Sequence, residues 1–529
     1  MIDDLANAGG TRQIDTDVCV VGSGAAGLAF AREFLGTTMR VLVLESGGVN
    51  REERAASLNQ GRDVGVPNPG LIEGRLRIFG GTTDIWPGAC VPLTEMDLSE
   101  RPWVPFSGWP ISFQDIQPYY RRAADLLHVA VEAFQEEVWS VVGVDGLEFD
   151  ERLLSHFIAL FSPRPYRFLG KVLRQDLQRA SNIRVLLHAT ATELRTDPSG
   201  TTVESLEARS LTGQRVEIRA RAFLLACGGF ENARLLLLSR AVESAGVGNR
   251  HDLVGRFYQD HPHARVGTIH ADRPTALQKR YGASFRGFPP KPKPYPKIRL
   301  SPKLQQREGV LNSSATIVWD NDAQAGEEGL VRLFRAVRSL RTPVSPREEI
   351  MKIIRDLPGT ARFVGRYVRG RASITPPRSM WLLNGAEQAP NPDSRITLDD
   401  ELDGFGLPRV RLNWRMTELD RRTAEVMAEA VGQELHRMGL ARLDIPSWLK
   451  SGTEGWSANM FGVFHPSGTT RMAQDPTRGV VDEHCQVHGM SNLHIAGSSV
   501  FPTSGYANPT FTIVALAIRL ADRMKSALG

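Results

Sequence analysis

The chain has 529 residues, 41% hydrophobic and 23% charged, an ordinary balance for a folded enzyme that excludes disordered or fibrous material. Its net charge of +5, from 64 basic and 59 acidic residues, is small for this length, so charge alone predicts no nucleic-acid surface. Cys19, Cys90, Cys227 and Cys485 stand far apart without a C-x-x-C pair, which argues against a disulfide framework or zinc site and for a reducing compartment. The opening MIDDLANAGGTRQIDTD shows no signal-peptide pattern, and no run approaches the ~20 apolar residues of a membrane span. A cytoplasmic protein without a transmembrane segment is expected.

Val18-Cys19-Val20-Val21 is a short apolar run ending in glycines, as a buried parallel strand does. Helical spacing follows over 25–35 and a second strand over 40–44, so 16–48 reads as a βαβ unit. Residues 75–109, rich in Gly, Pro and Trp, read as an ordered loop region. Strands are expected over 182–194 and 221–229, the second leading into a helix over 230–239. The region 262–330, with KPKPYPK, predicts sheet with proline-limited edges. Residues 330–372 read as basic amphipathic helices with a solvated face; an anionic substrate or a membrane surface are the alternative partners. A strand at 493–496 and a long helix over 509–528 complete the chain. The predicted fold is α/β: a Rossmann-like domain from 1–260 with 460–529, and an inserted α+β domain, 261–459, built on a mainly antiparallel sheet. Parts of 75–180 are expected to contribute to the site.

Gly22-Ser23-Gly24-Ala25-Ala26-Gly27 matches G-x-G-x-x-G after a strand and at the start of a helix. Gly22 permits the tight turn, Gly24 lets backbone approach a pyrophosphate, and Gly27 lets helix pack on strand. The helix N-terminus offers free N–H groups to phosphate. Glu45, at the end of the second strand, is placed to accept bonds from ribose hydroxyls and to repel a 2′-phosphate. The pattern does not distinguish FAD from NAD.

Three further stretches carry a resemblance. They are RLRIFGGTTDIWPG (75–88), FLLACGGFENARLL (223–236) and, above all, FHPSGTTRMAQDPTRGVVDEHCQVHGMSNLHIAGSSVFPTSGYANPTFTIVALAI (464–518). Together they resemble the glucose–methanol–choline (GMC) oxidoreductases from residue 16 to about 525, closest to the branch of pyranose oxidases, glycoside 3-oxidases and sugar-acid dehydrogenase large subunits. The resemblance implies an FAD enzyme that oxidises a CH–OH group of a sugar, glycoside or other secondary alcohol. Its catalytic histidine falls on His465 and its second catalytic position on Asn508. Flavin contacts fall on Gly81, Thr82, Thr83, Trp86, Gly228, Gly497, Ser498, Pro509 and Thr510, with an adenine contact near Ala191. Where pyranose oxidases bind flavin covalently through histidine, this chain has Ile85, so a non-covalent FAD is expected. Reaction with oxygen is less assured without that link, and oxygen or a quinone-like acceptor is expected.

Alcohol oxidation needs a hydride removed from carbon, which flavin N5 takes, and a proton removed from oxygen, which a histidine near pKa 6.5 suits. Asn508 would orient the same hydroxyl without adding charge. Other readings are a non-redox lyase on this fold, an NAD-dependent dehydrogenase, and the catalytic subunit of a haem-coupled sugar dehydrogenase, whose haem chain would be separate. His261 and His263 read as surface histidines of a turn at Pro262, with a pocket lining as the alternative, and His484, His488 and His494 as structural. No metal is expected. Trp103, Phe106, Trp109, Tyr119 and Tyr120 suit either a sugar-stacking surface or core packing.

Overall fold

In the computed structural model, residues 1–7, 12–281, 293–320, 329–330, 333, 345–368 and 377–529 are described. The apolar run 18–21 lies at the centre of the first sheet. Its strand, Arg12–Val21, pairs in parallel with Val41–Leu44 on one side and Arg215–Leu225 on the other. Ile183–Leu187 and Ile2–Asp4 continue the parallel order beyond Val41–Leu44, and Leu493–Ile495 pairs in parallel with the end of Arg215–Leu225. Val203–Arg209 and Thr190–Thr196 add two antiparallel strands. Val18 to Val21 are at most 4% exposed, so both faces of this sheet are covered, which is why the strand is apolar without alternation. The helix after it ends at Arg32, earlier than its spacing predicts, and the chain turns through Gly36 at φ 74°.

A second sheet is antiparallel throughout. Its order is Arg442–Asp444, His263–His270, Ser379–Ala386, Ser313–Asp320, Lys293–Leu300, Leu154–Phe161 and Ala89–Cys90. The proline-bearing strand lies inside this sheet, where its prolines had suggested an edge. Pro294 and Pro296 are tolerated because only Ile298 and Arg299 are in register with Ser313–Asp320, leaving the proline half paired on one side. Ser155, Phe157, Lys297 and Arg299 are opposite or alternate positions in register, so they share one face. On that face Tyr506 packs edge-on against Phe157 and its hydroxyl accepts from Arg299 at 3.2 Å, which brings the second sheet to the C-terminal segment.

A small third sheet joins Arg395–Leu402, Pro408–Asn413 and Gly61–Asp63. The region 75–109 folds through a 3₁₀ turn, Gly81–Asp84, and a short helix, Glu95–Leu98. Much of the basic stretch 330–372 lies outside the described residues. Its described part holds helices Pro346–Arg355 and Leu357–Val368, on which Ile350, Met351, Ile354 and Leu357 are exposed alongside the charges. Among the described residues no helix is long and apolar enough to cross a membrane.

Candidate active site

Strand Arg12–Val21 ends at Gly22, whose φ of 106° turns the chain at the sheet edge. A side chain on Gly22 would meet the Ala226 carbonyl at 2.6 Å, and one on Gly27 the Gly22 carbonyl at 1.9 Å, so strand, turn and helix pack through glycine. Gly24 differs, because a Cβ built there finds nothing within 4 Å. It borders a cavity of about 520 Å³ lined by Gly22, Ser23, Gly24 and Ala25, and helix Ala25–Arg32 opens on it. The unpaired N–H groups of that first turn carry partial positive charge suited to phosphate.

Glu45 is in the cavity wall at 5% exposure. Ser23 donates to its Oε2 from the backbone N–H at 3.3 Å and from Oγ at 2.6 Å, and the Gly47 N–H donates to Oε1 at 2.9 Å. Burial pushes this carboxyl up, against those bonds and Arg77. Oε1 retains acceptor capacity for a further donor. Also in the wall, Glu231 receives Arg75 at 3.0 Å, Arg77 at 3.1 Å and Arg234 at 3.2 Å. Burial would raise the Glu231 carboxyl, but Arg77, Arg234 and Arg75 together hold it far below the usual range.

Thr190 and Ala191 line the same cavity, as does Gly228. Gly81, Thr82, Thr83, Ile85 and Trp86 form another wall, and a Cβ on Gly81 would lie 2.9 Å from the Gly24 Cα. Thr83 turns its hydroxyl to the Gly80 carbonyl at 2.6 Å, and the Trp86 indole donates to Arg167 at 2.7 Å. Gly497, Ser498, Asn508, Pro509 and Thr510 complete the lining, with helix Thr510–Leu528 beginning at the cavity.

His465, half-buried, is in this wall beside Asn508, whose Nδ2 is 3.5 Å from His465 Nε2. The other ring nitrogen, Nδ1, is 2.7 Å from His261 Nδ1. His261 is therefore not a surface residue of a turn. It is 2% exposed, and its Nε2 faces the Gly505 carbonyl at 2.8 Å. Asp260 holds the two segments together. Its Oδ1 accepts from the N–H groups of His261 at 2.7 Å, Val463 at 3.2 Å and His465 at 3.1 Å. The last two flank Phe464, which sits at φ 66°, a conformation that costs about 1–3 kcal/mol for such a residue and persists where its neighbours are tied on both sides. Burial first, and then the neighbouring His261, His263 and Lys297, hold the His465 imidazole well below its ordinary value. His263 is also partly buried rather than on the surface, and burial lowers it to about 3.

The cavity thus gathers every residue singled out in the sequence for cofactor or catalysis except Gly27, whose place is the helix–strand contact. Asp260, Arg75, Arg77 and Glu231 were not singled out, and His261 only through the alternative of a pocket lining. A dense run of titratable groups at 260–263 was the sign of Asp260 and His261 in the sequence. His488 Nε2 bonds the Ala473 carbonyl at 2.9 Å and His494 is buried, while His484 lies beside Glu483. Among the described residues no group of three or more His, Cys, Asp or Glu is placed to hold a metal ion. Trp109 bonds Thr503 and Tyr120 bonds Thr512 inside the core, and none of the five singled-out aromatics lines this cavity.

A glycine turn, a buried carboxylate and a histidine–amide pair thus share the wall of one cavity. Residues 390–517 match the family model described as GMC oxidoreductase. It is 25% identical over 588 aligned positions to 6'''-hydroxyparomomycin C oxidase of Streptomyces lividus, covering 98% of this chain and 93% of that one. It is 25% identical over 314 positions to the fructose dehydrogenase large subunit of Gluconobacter japonicus, covering 58% of this chain but only 48% of that relative. A crystal structure of formate oxidase shares the fold over 98% of this chain and 99% of its own, with a TM-score of 0.54 and 16% identity.

The family implies FAD, and the residues fit it. Gly24 leaves open the space a side chain would fill, the helix N-terminus faces that space, and Glu45 offers a carboxylate in the same wall.

Proposed function

We propose that this protein is an FAD-dependent oxidoreductase that oxidises a CH–OH group of a sugar, glycoside or other secondary alcohol. The observation that carries the reading is the convergence of the glycine turn and the His465–Asn508 pair on one cavity. When bound, the flavin supplies the hydride acceptor. His465 Nε2 takes the hydroxyl proton, and the Asn508 amide donates to the same oxygen, fixing its orientation. Because His465 is held below its ordinary value, it is neutral near pH 7, the form that accepts a proton. Glu45 holds the adenosine ribose, with Ala191 near the adenine. Gly22 to Ala25 hold the pyrophosphate.

Residues 1–260 with 460–529 form the cofactor domain and 261–459 the substrate domain. The second sheet supports this division, since His263–His270, Lys293–Leu300, Ser313–Asp320, Ser379–Ala386 and Arg442–Asp444 all fall within 261–459. Ile85 stands in the wall without a nucleophilic atom, which supports FAD held non-covalently, and electrons pass on to oxygen or a quinone-like acceptor. A cytoplasmic location goes with the four free cysteines. The likeness to a dehydrogenase large subunit favours, as a second reading, a catalytic subunit that passes electrons to a separate chain.

The test is anaerobic mixing of the yellow protein with a panel of sugars, glycosides and secondary alcohols. Bleaching of the flavin by a member of the panel is the expected result. Turnover of a substrate without bleaching would replace this reading with the non-redox one. Acid precipitation should leave the yellow colour in the supernatant, and colour in the pellet would contradict the non-covalent assignment.

A further inference from the structure

We infer that His261 is a positioning residue for the base: it fixes His465 in the tautomer that carries its proton on Nδ1 and leaves Nε2 bare toward Asn508. The inference rests on reading His465 as the base, although the tautomers themselves follow from hydrogen bonding between two buried, neutral rings.

His261 Nε2 lies 2.8 Å from the Gly505 carbonyl and 3.4 Å from that of Ser504. A carbonyl oxygen only accepts, so this nitrogen carries a proton. Burial lowers the His261 imidazole, with Asp260 and Glu387 opposing, and at 2% exposure the ring is neutral. Its Nδ1 is then a lone pair. His465 Nδ1 faces that lone pair at 2.7 Å, and two lone pairs at this distance would repel, so His465 Nδ1 carries a hydrogen and donates. A neutral imidazole has one N–H, which leaves His465 Nε2 as an acceptor. The group beside it at 3.5 Å is the Asn508 amide nitrogen, a donor that suits a lone pair.

The end of this chain of bonds cannot reverse. Gly505 holds its carbonyl in a left-handed turn at φ 57°, and a Cβ there would come within 2.8 Å of Leu93 and 3.0 Å of Asp97. Asp260 clamps the backbone of both histidines, so the two rings meet edge to face with centroids 4.9 Å apart. Once His465 has taken the substrate proton on Nε2, its Nδ1–H bond to His261 strengthens and shares the new charge. The proton goes no further, because the His261 Nε2–H ends on carbonyls that do not take protons. Of the other titratable groups facing His465, His263 and Lys297 oppose its protonation, as His261 does when it is itself charged. As a neutral ring, His261 is the acceptor for the Nδ1–H of the imidazolium.

The test uses the full-length flavin-loaded protein labelled with ¹⁵N-histidine, whose ring tautomers are read by long-range proton–nitrogen correlation without any turnover. His465→Ala and His261→Asn identify the two rings. The expected spectrum shows Nδ1–H on His465 and Nε2–H on His261. Nε2–H on His465 in the wild type would overturn the inference, whatever the variants do. Kinetically, Asn offers a carbonyl in place of His261 Nδ1, whereas Leu offers no acceptor. The limiting rate of anaerobic flavin reduction should fall ~10²–10⁴-fold in His261→Leu and stay within about 10-fold of wild type in His261→Asn. The half-saturating substrate concentration should change little. Equal losses in the two variants would make His261 a packing residue only. Normal reduction by His465→Ala overturns the base reading instead, and the tautomer spectrum tells that failure apart from this one.

Discussion

The two ends of the cavity are built by opposite means. At the proposed nucleotide end the wall is backbone at Gly22, Gly24 and Gly81, with Glu45 as the carboxylate. At the proposed reacting end the side chains of His465 and Asn508 line the wall, and segments 260–261 and 504–505 hold His465 from behind through hydrogen bonds across 204 and 244 positions. A backbone site tolerates most changes except a Cβ in the wrong place. A side-chain site fails when any one of several buried partners is lost, because each then leaves a donor or acceptor unmade.

The sharpest way to break this comparison is the same substitution at two glycines. Gly27→Ala puts a methyl 1.9 Å from the Gly22 carbonyl, so helix and strand must part, at a cost of about 1–3 kcal/mol. It should lower the melting temperature and leave the purified protein colourless. Gly24→Ala projects into open space and should leave the melting temperature without FAD unchanged while weakening FAD binding. Melts with and without added FAD check both. Equal FAD binding in Gly24→Ala and wild type would show that no phosphate approaches there.

A smaller effect is expected from Glu45→Ala. Loss of a charge-assisted acceptor should weaken FAD binding by about 1.5–3 kcal/mol, about 10–100-fold, as measured by titration of the apoprotein. Undiminished binding would place the ribose elsewhere.

Smallest near neutrality is the response to pH, which separates the two ends by sign. His465, His261 and His263 are held below the ordinary 6.5, and His156 at about 4, all by burial first. The unfolded chain therefore takes up protons first as pH falls. Their contribution to stability is complete above about pH 6.5 and is lost as pH drops toward the folded values. Glu45, raised by burial, works in the opposite sense. Melts at saturating FAD between pH 8 and 5 should show falling stability below 6.5, more steeply in Glu45→Gln. A flat profile would mean the histidines are not buried neutral.

The same contrast explains what was legible in the sequence. The βαβ unit, the glycine turn and Glu45 lie within some thirty residues, and each residue's role follows from its neighbours in the chain. The reacting end was legible only where the GMC resemblance pointed, at His465 and Asn508. His261 read as a turn histidine because Pro262 follows it, and nothing nearby in sequence shows that its ring meets one 204 positions away. The third sheet was hidden for the same reason, since Gly61–Asp63 finds its parallel partner in Pro408–Asn413. The KPKPYPK strand read as an edge because proline marks a missing ladder bond, which one half-paired side also provides.

The most direct test of the central claim is anaerobic stopped-flow reduction of the flavin in His465→Ala by an alcohol that bleaches the wild type. Full flavin content with reduction slowed ~10²–10⁴-fold is the predicted result, partly rescued at high pH as ionised alcohol replaces the missing base. Asn508→Ala should slow reduction less and weaken substrate binding. The double variant should fall short of the product of the two losses, because both residues act on one hydroxyl. Near-normal reduction in His465→Ala with full flavin content would contradict the account.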